Sequence, residues 1–405
     1  LRVLALSPWL PLRVRLPVVA AGAGALAGIG YTLLTGAEVP TVRSCIGALL
    51  VLIALALGRE ALSLRMLAVA AFCVLLLWPE SLVGPSFQMS FAAVLAIVAL
   101  GTAGPVRRFL GPREEPVVLR IGRGVAMLLL TGVVIEFALM PIGLYHFHRA
   151  GVYGALANVI AIPLTTFVVM PLIVAGLLMD IIGVGAPAWW LAEQAVDLLI
   201  GLAHWIASRP GAVTLLPAMG TGAFLLFVAG GLWLGLWSGR IRWFGLLPAA
   251  LGIAMLAAMA PPDVLVTGDG RHVGLVSEDG NRLFVLRDSR SDYVRDNLQE
   301  LGGMEGEPVN LLQWPGAQCN RDFCSVPIGQ EGRTLNLLLT RSRDRVPERA
   351  LAAACDKADI VIADRWLPRS CRPKWLKADR AMLSQTGGLA IHLAWAEVTT
   401  VADGE

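Results

Sequence analysis

The first 261 residues contain no lysine, and their fifteen arginines and nine carboxylates sit between long apolar runs. Few folds suit such a chain. In lipid every backbone N–H and C=O must be satisfied internally, so repeated apolar segments read as membrane helices. Residues 16–34, 44–58, 66–79, 86–104, 125–145, 221–238 and 243–260 are spans on this reading. Two of them, 44–58 and 66–79, are short and need uncharged flanks. Residues 152–183 are too long for one straight crossing; Pro163 and Pro171 predict a re-entrant or kinked entry followed by a span. Residues 187–208 are amphipathic, with Glu193, Asp197 and His204 near one face. This segment either lies flat or crosses, so the region 1–261 holds eight or nine spans.

The distribution of arginine separates these two topologies. The basic N-terminus (Arg2, Arg13, Arg15) is placed inside. With 187–208 flat, eleven arginines fall inside and four outside; with 187–208 crossing, twelve fall inside and three outside. The positive-inside rule favours the second, which puts the C-terminal region on the periplasmic side of an inner membrane.

Composition changes at Pro261-Pro262. Residues 262–405 carry eighteen basic and twenty-one acidic side chains, against a net +6 before them. This is a soluble domain long enough to bury a core. DVLVTGD, HVGLVS, RLFVLRD, TLNLLLTR, ADIVIAD and LAIHLAW read as strands. SDYVRDNLQELG and VPERALAAACDKA read as helices, the first capped by Ser291 or Asp292 and stopped by Gly302. The fold class is therefore a polytopic α-helical membrane bundle followed by a soluble α/β domain. The chain starts at Leu1 without Met or a signal-peptide pattern, which suggests a piece of a longer protein.

Several chemistries are excluded. There is no P-loop, no H-E-x-x-H and no G-x-S-x-G. Any ATP-driven motor must be a separate protein, and no cofactor is expected. Cys45 and Cys73 lie in apolar segments as neutral thiols. Four cysteines in the soluble region suggest metal ligands or disulfides. Without a C-x-x-C or a nearby His pair the spacing favours disulfides, Cys319 with Cys324 and Cys355 with Cys371, in an oxidising compartment.

Three constellations could carry function. Gln88 and Ser90 in GPSFQMSF put polar groups in apolar surroundings, either as a helix–helix hydrogen bond or as a ligand contact. Residues 136–171 combine Glu136, His146, His148, Arg149 and Asn158 with breaks at Pro141, Gly143, Gly151, Gly154, Pro163 and Pro171. They read either as a structural ion pair with an interfacial His pair, or as a polar path with Arg149 near its mouth. Residues 364–380 interleave Arg365, Arg369, Arg372, Lys374 and Lys377 with Trp366 and Trp375. That pattern suits single-stranded nucleic acid, or a solvated loop anchored by its two indoles.

The segments GYTLLTGAEVPTVRSCIGALL, WPESLVGPSFQMSFAAVLA and PIGLYHFHRAGVYGALANVIAIPL resemble the competence region of ComEC proteins, the membrane channels for DNA uptake in natural transformation. The resemblance covers residues 1 to about 260. It implies that single-stranded DNA crosses the inner membrane through the bundle. It also implies membrane lipid, a separate DNA receptor, the ATP-driven motor and a second copy of the chain as partners. An oligonucleotide-binding-like domain and further spans would precede Leu1. The tail resembles a degenerate copy of the family's metallo-β-lactamase-like domain. VTGDGRHVGLV stands at the D-V-G-Q-G-D loop without matching its acids, and H-x-H-x-D-H is absent. Asp364-Arg365-Trp366 stands where H-H-G-S would be. With only His272 and His392 left as histidine ligands, the resemblance implies the fold without zinc or nuclease chemistry. The rival readings are a membrane-anchored nuclease or hydrolase, and a small-solute transporter using Glu136.

Overall fold

The computed structural model describes residues 16–56, 63–111, 116–216, 219–277, 280, 282–289, 291–304, 306–330 and 333–403. Arg2, Arg13, Arg15, the Arg59–Glu60 connection, Arg113, Glu114 and Glu115 lie outside the described residues. The chain divides into two compact units. One holds the helices up to His146, Gly151–Ala212 and Gly222–Ile253. The other holds Phe147–Ala150, Val213–Thr221 and everything from Ala254 onward.

The described residues of the first unit are mainly helical. Its elements are α1 (Leu16–Leu34), α2 (Val39–Ala56), α3 (Leu64–Leu77), α4 (Pro85–Gly101), α5 (Gly104–Leu110), α6 (Val117–Phe147), α7 (Gly154–Leu164), α8 (Met170–Asp180), α9 (Ala186–Ala207), α10 (Thr221–Leu236) and α11 (Leu246–Ala257). Among the described residues three helical stretches, Val117–Phe147, Gly154–Asp180 and Arg240–Ala257, are long and apolar enough to cross a membrane. A fourth results if α4 and α5, bent by 72°, count as one span. This is a membrane protein whose helices leave many large apolar side chains outward, Leu26, Phe72 and Phe167 among them.

The stretch between the expected spans 86–104 and 125–145 is largely helical among its described residues: Pro105 lies in the first turn of α5, and α6 already includes Arg120 and Arg123. Residues 152–183 form no re-entrant loop. Gly154–Asp180 is one continuous helix interrupted by a π turn at Thr165–Val169, where the Met170 amide donates to the Thr165 carbonyl. Pro171 cannot donate to the carbonyl one turn back, and the five-residue step just before it absorbs that loss without breaking the helix. Finally, α9 buries Ala188, Ala192 and Ala195, while Glu193, Asp197 and His204 are exposed. A crossing would put those carboxylates at membrane depth, where they would need partners inside a bundle.

Apolar burial gives little drive between helices in lipid, so close backbone approach must supply the packing. The 3₁₀ turn Arg240–Gly245 meets α10 through two glycines. A Cβ on Gly230 would lie 2.7 Å from the Gly245 carbonyl oxygen, and one on Gly245 would lie 2.8 Å from the Gly230 carbonyl oxygen. Gly230→Ala must therefore push backbone apart. It is expected to cost about 1–3 kcal/mol and to lower the midpoint of thermal unfolding in detergent; an unchanged midpoint would show that the turn yields freely.

The second unit contains a two-stranded ribbon, β1 (Arg149–Gly151) with β2 (Val213–Leu215), and two mixed sheets. The six-stranded sheet has the order β13-β12-β3-β4-β5-β6, from β3 (Val264–Val266), β4 (Val273–Val276), β5 (Leu283–Val285), β6 (Val309–Asn310), β12 (Leu389–His392) and β13 (Glu397–Thr400). The five-stranded sheet has the order β11-β10-β9-β8-β7, from β7 (Gln318–Cys319), β8 (Phe323–Gln330), β9 (Arg333–Thr340), β10 (Ile360–Ile362) and β11 (Leu376–Ala378). Strand β10 runs parallel to both β9 and β11.

Side-chain alternation explains the layering. Val264, Val266, Leu337, Leu339, Ile360 and Ile362 share one core between the sheets. Their neighbours point the other way: Leu265 packs with Leu298 of α12 (Asp292–Gly302), and Leu338 and Val361 pack with Leu351 and Cys355 of α13 (Glu348–Lys357). Strands covered on both faces read as continuous apolar runs, which is what LLLT and DIVIAD are. The result is helix, sheet, sheet, helix. A short α14 (Arg380–Thr386) is capped by Asp379, whose carboxylate accepts from the Ala381 and Met382 amides at 3.1 and 3.2 Å. In α12 the stop is Gly303 rather than Gly302, with the left-handed φ of +64° that favours glycine. Disulfides join Cys319 to Cys324 across the β7–β8 pair and Cys355 of α13 to Cys371.

Candidate functional site: polar pairs in the bundle and an arginine-rich sheet end

In the helical unit the polar residues divide by partner. Gln88 starts α4 and bridges two elements: its amide nitrogen donates to the Leu82 carbonyl at 3.0 Å, and its Oε1 lies 2.9 Å from His146 Nε2 on α6. Tyr145 beside it stacks on Phe224 of α10, with ring centroids 4.1 Å apart. This links α4, α6 and α10 by a half-buried amide contact and a ring stack. Ser90 is exposed two positions further along α4.

Glu136 does not pair with Arg149. Its two carboxylate oxygens accept from the Gly154 and Ala155 amides, at 3.0 and 2.7 Å, and so cap the start of α7 from a neighbouring helix. Negative charge at a helix N-terminus satisfies orphan donors and opposes the macrodipole. The approach is close because Gly132 lies against Ala155: a Cβ at Gly132 would sit 3.2 Å from both Cα and Cβ of Ala155. Arg149 pairs with Glu300 of α12 within the second unit. His148 has a left-handed φ of +55°, and its buried Nδ1 has no hydrogen-bond partner among the described residues. Asn158 is exposed on α7. The structure thus joins Gln88 with His146, and leaves Glu136, Arg149 and Asn158 in three separate settings.

The segment 364–380 also divides. Lys377 Nζ donates to the Leu367 and Pro368 carbonyls at 3.2 and 2.9 Å, and Lys374 lies 3.4 Å from Asp359. These two lysines brace the loop. Arg365 donates to the Asp344 carbonyl and lies over the Phe323 ring. Trp366, Arg369 and Arg372 are exposed, and Trp375 is at the edge of exposure.

One cluster was not legible as a unit in the sequence. Asp364, immediately beyond β10, is buried; its carboxylate accepts from the Thr340 hydroxyl at 3.3 Å and from Arg343 Nε at 3.3 Å, with Arg287 at 3.7 Å. Arg287, just beyond β5, donates to the carbonyls of Arg271, Thr340 and Arg341, at 2.6, 2.9 and 2.7 Å, and thereby ties the ends of the two sheets together. Burial lowers the Arg287 pKa from its ordinary value; Asp364 opposes the fall, and the charges of Arg271, Arg343 and Arg341 add to it. The nearby acids are engaged: Asp269 accepts from the Thr267 hydroxyl and the Arg271 amide, Asp322 from the Ser342 hydroxyl, and Asp344 from Arg321. The sequence signal is an arginine soon after each of four strand-like runs, in TGDGR, FVLR, LLLTRSR and IVIADR.

This end does not suit a metal ion. Its buried carboxylate already faces two guanidinium groups, which would repel a cation. His272 lies 4.0 Å from Asp269, while His392 packs on Trp395. Among the described residues no three His, Cys, Asp or Glu side chains gather as a ligand set.

Burial lowers the His272 pKa below its ordinary 6.5, with Asp269 opposing the shift and Arg271 and Arg287 adding to it. For Asp269 burial would raise the pKa, but the Thr267 hydroxyl, the Arg271 amide and the charges of His272 and Arg271 outweigh it, and the net shift is down. Both depressed groups bind protons less readily when folded, so their stabilisation is complete at higher pH and falls on acidification. The His272 share is lost as pH drops from about 6.5. His272→Gln should flatten the pH dependence of thermal unfolding between pH 7 and 5.5; an unaltered slope would remove His272 from that account.

Residues 1–241 match the family described as Competence protein. The chain is 33% identical over 204 residues to the competence protein ComA of Neisseria gonorrhoeae, covering 50% of this chain and 27% of that protein. It is 28% identical over 172 residues to the uncharacterized protein YcaI of Escherichia coli (strain K12), covering 42% of this chain and 22% of that protein. The matched stretches thus span about a quarter of the length of these curated relatives. No solved structure matches the chain. With the family match covering more than half of its residues, the chain belongs to the competence protein family.

Proposed function

We propose that the helical unit forms part of an inner-membrane channel that imports single-stranded DNA during natural transformation. The observation that carries this is the match to the competence family over residues 1–241, all of the helical region but its last turn and α11, with the Gln88–His146 pair set between membrane helices. The channel uses no nucleotide site of its own; a separate receptor delivers DNA and a separate motor drives it. Gln88→Leu and His146→Leu each remove the hydrogen bond between these two side chains in an apolar setting. Each is expected to lower transformation at least tenfold with the protein still in the membrane and DNA still bound at the cell surface. Normal transformation by both variants would reduce the pair to a packing contact.

The tail, on this proposal, faces the periplasm and cuts no DNA. Two disulfides suit an oxidising compartment. The exposed carboxylates of α9 favour an interfacial helix, which changes the parity of the spans. Parity would be restored if α3, with fourteen residues and hence about 21 Å of helix, also failed to cross a core of about 30 Å; the arginines would then divide eight inside and seven outside, so the disulfides and not the arginine count carry the placement of the tail. The engaged state of Asp364 argues against metal-dependent hydrolysis, and a tail that loads DNA would need binding without cleavage.

A further inference from the structure

We propose that the strand-end cluster around Asp364 is a seat for the phosphodiester backbone of single-stranded DNA, with Arg271, Arg341 and Arg343 as the phosphate-facing groups. The proposal rests on the competence reading for its choice of polyanion; the seat itself follows from the geometry. Four arginines, Arg271, Arg287, Arg341 and Arg343, gather around Asp364 at the end where β9 and β10 run parallel and terminate, and Arg365 follows Asp364 in the chain. The crevice outside the carboxyl ends of such strands is where open α/β sheets take ligands. The surrounding domain is net acidic, eighteen basic against twenty-one acidic residues, so the concentration of arginine is local.

The five arginines have different tasks. Arg287 is spent on three carbonyls and one carboxylate, so it holds the sheets in register and contributes field. Asp364 fixes Arg343 through Nε alone, and the side chain remains 64% exposed, which leaves its outer fork to solvent. Arg341 is anchored through one terminal nitrogen to the Asn320 carbonyl, and Arg271 is exposed. Arg365 is held by the Asp344 carbonyl and the Phe323 ring, and its Nη2 is buried without a hydrogen-bond partner among the described residues. Planar forks held from behind are suited to phosphate oxygens, which they bind bidentately. Trp366 follows directly and is 65% exposed, a free ring face for stacking a base.

The test uses the full chain in detergent and a fluorescent deoxythymidylate 20-mer, with binding read by anisotropy across a salt series. Removing two phosphate contacts should reduce the salt slope by about 1.4, from roughly 0.7 per contact on a single strand. We expect Arg271→Gln with Arg343→Gln to weaken binding at least fivefold with that change of slope. Arg369→Gln with Arg372→Gln, on the exposed loop, should stay within twofold. Arg271→Lys with Arg343→Lys keeps the charge, and should recover the slope but only part of the affinity; it guards against simple misfolding. Equal binding by the wild type and the double Gln variant would overturn the seat. So would displacement of the oligonucleotide by phosphatidylglycerol vesicles with no recovery at high DNA, which would make the ligand a lipid headgroup. The channel proposal stands or falls separately, on transformation by the Gln88 and His146 variants.

Discussion

Glu136→Ala should remove most of the folded protein from the membrane. The substitution takes away the acceptors of two backbone amides, those of Gly154 and Ala155, at the start of a helix that has no side-chain cap of its own at Tyr153. Hydrogen bonds to a charged group are worth about 1.5–3 kcal/mol each, and water is scarce at that depth to replace them. Two such bonds are a large part of the stability of an ordinary domain, about 5–15 kcal/mol. Glu136→Gln keeps one acceptor oxygen but turns an amide donor toward a backbone donor, so it should fall between the wild type and alanine. Glu136→Asp is shorter by one methylene and should not reach both amides. Fluorescence-detected size exclusion of a reporter fusion, with a thermal series, measures the folded fraction for each. If the alanine variant unfolds at the wild-type temperature yet fails to transform, Glu136 belongs to a polar path and not to the scaffold.

The same residue shows how far the sequence could be read. An acid inside an apolar run announces a partner, and the two partners considered were an arginine nearby in sequence and a passing solute. The actual partner is the backbone of the next helix, brought close by Gly132 and Ala155, and backbone donors leave no mark on a sequence. In the tail the doubly covered strands were legible because their apolar runs are continuous. FCSVPIGQ was not, since Pro327 argues against a strand, yet β8 carries it opposite Asn336. QC, LKA and EVTT are too short or too polar to stand out, and they pair only because a longer strand lies beside them. The basic patch was legible by composition but not by role. Lys377 bonds carbonyls of its own loop and Lys374 pairs with Asp359, while Arg271, Arg287, Arg341 and Arg343 meet from three separate segments. Contacts between residues far apart in the chain are set by sheet order, and nothing local encodes that order.

Breaking the Cys355–Cys371 bridge should lower the thermal midpoint of the tail more than breaking Cys319–Cys324. The first bond closes a separation of sixteen residues and the second a separation of five. In the chain-entropy account these correspond to about 3 and about 2 kcal/mol. The shorter loop is also held by the β7–β8 pairing, which persists without its disulfide. Cys355 and Cys371 are fully or almost fully buried, and they tie the last turn of α13 to the segment that leads into β11. Alanine at both positions removes the constraint without introducing a hydroxyl into that core. For a domain of this size the loss corresponds to a fall of about 6–12 °C, against a smaller one for Cys319→Ala with Cys324→Ala. The compartment can be read from the same sulfurs. In intact cells with a periplasmic tail, a maleimide should label none of the four cysteines until a reductant is added. With Cys45 and Cys73 replaced by alanine, since both are free thiols, labelling of denatured protein without reductant would place the tail among free thiols, on the cytoplasmic side. An alkaline phosphatase fused after Glu405 would then be silent, and the spans would have to be counted again with the tail inside.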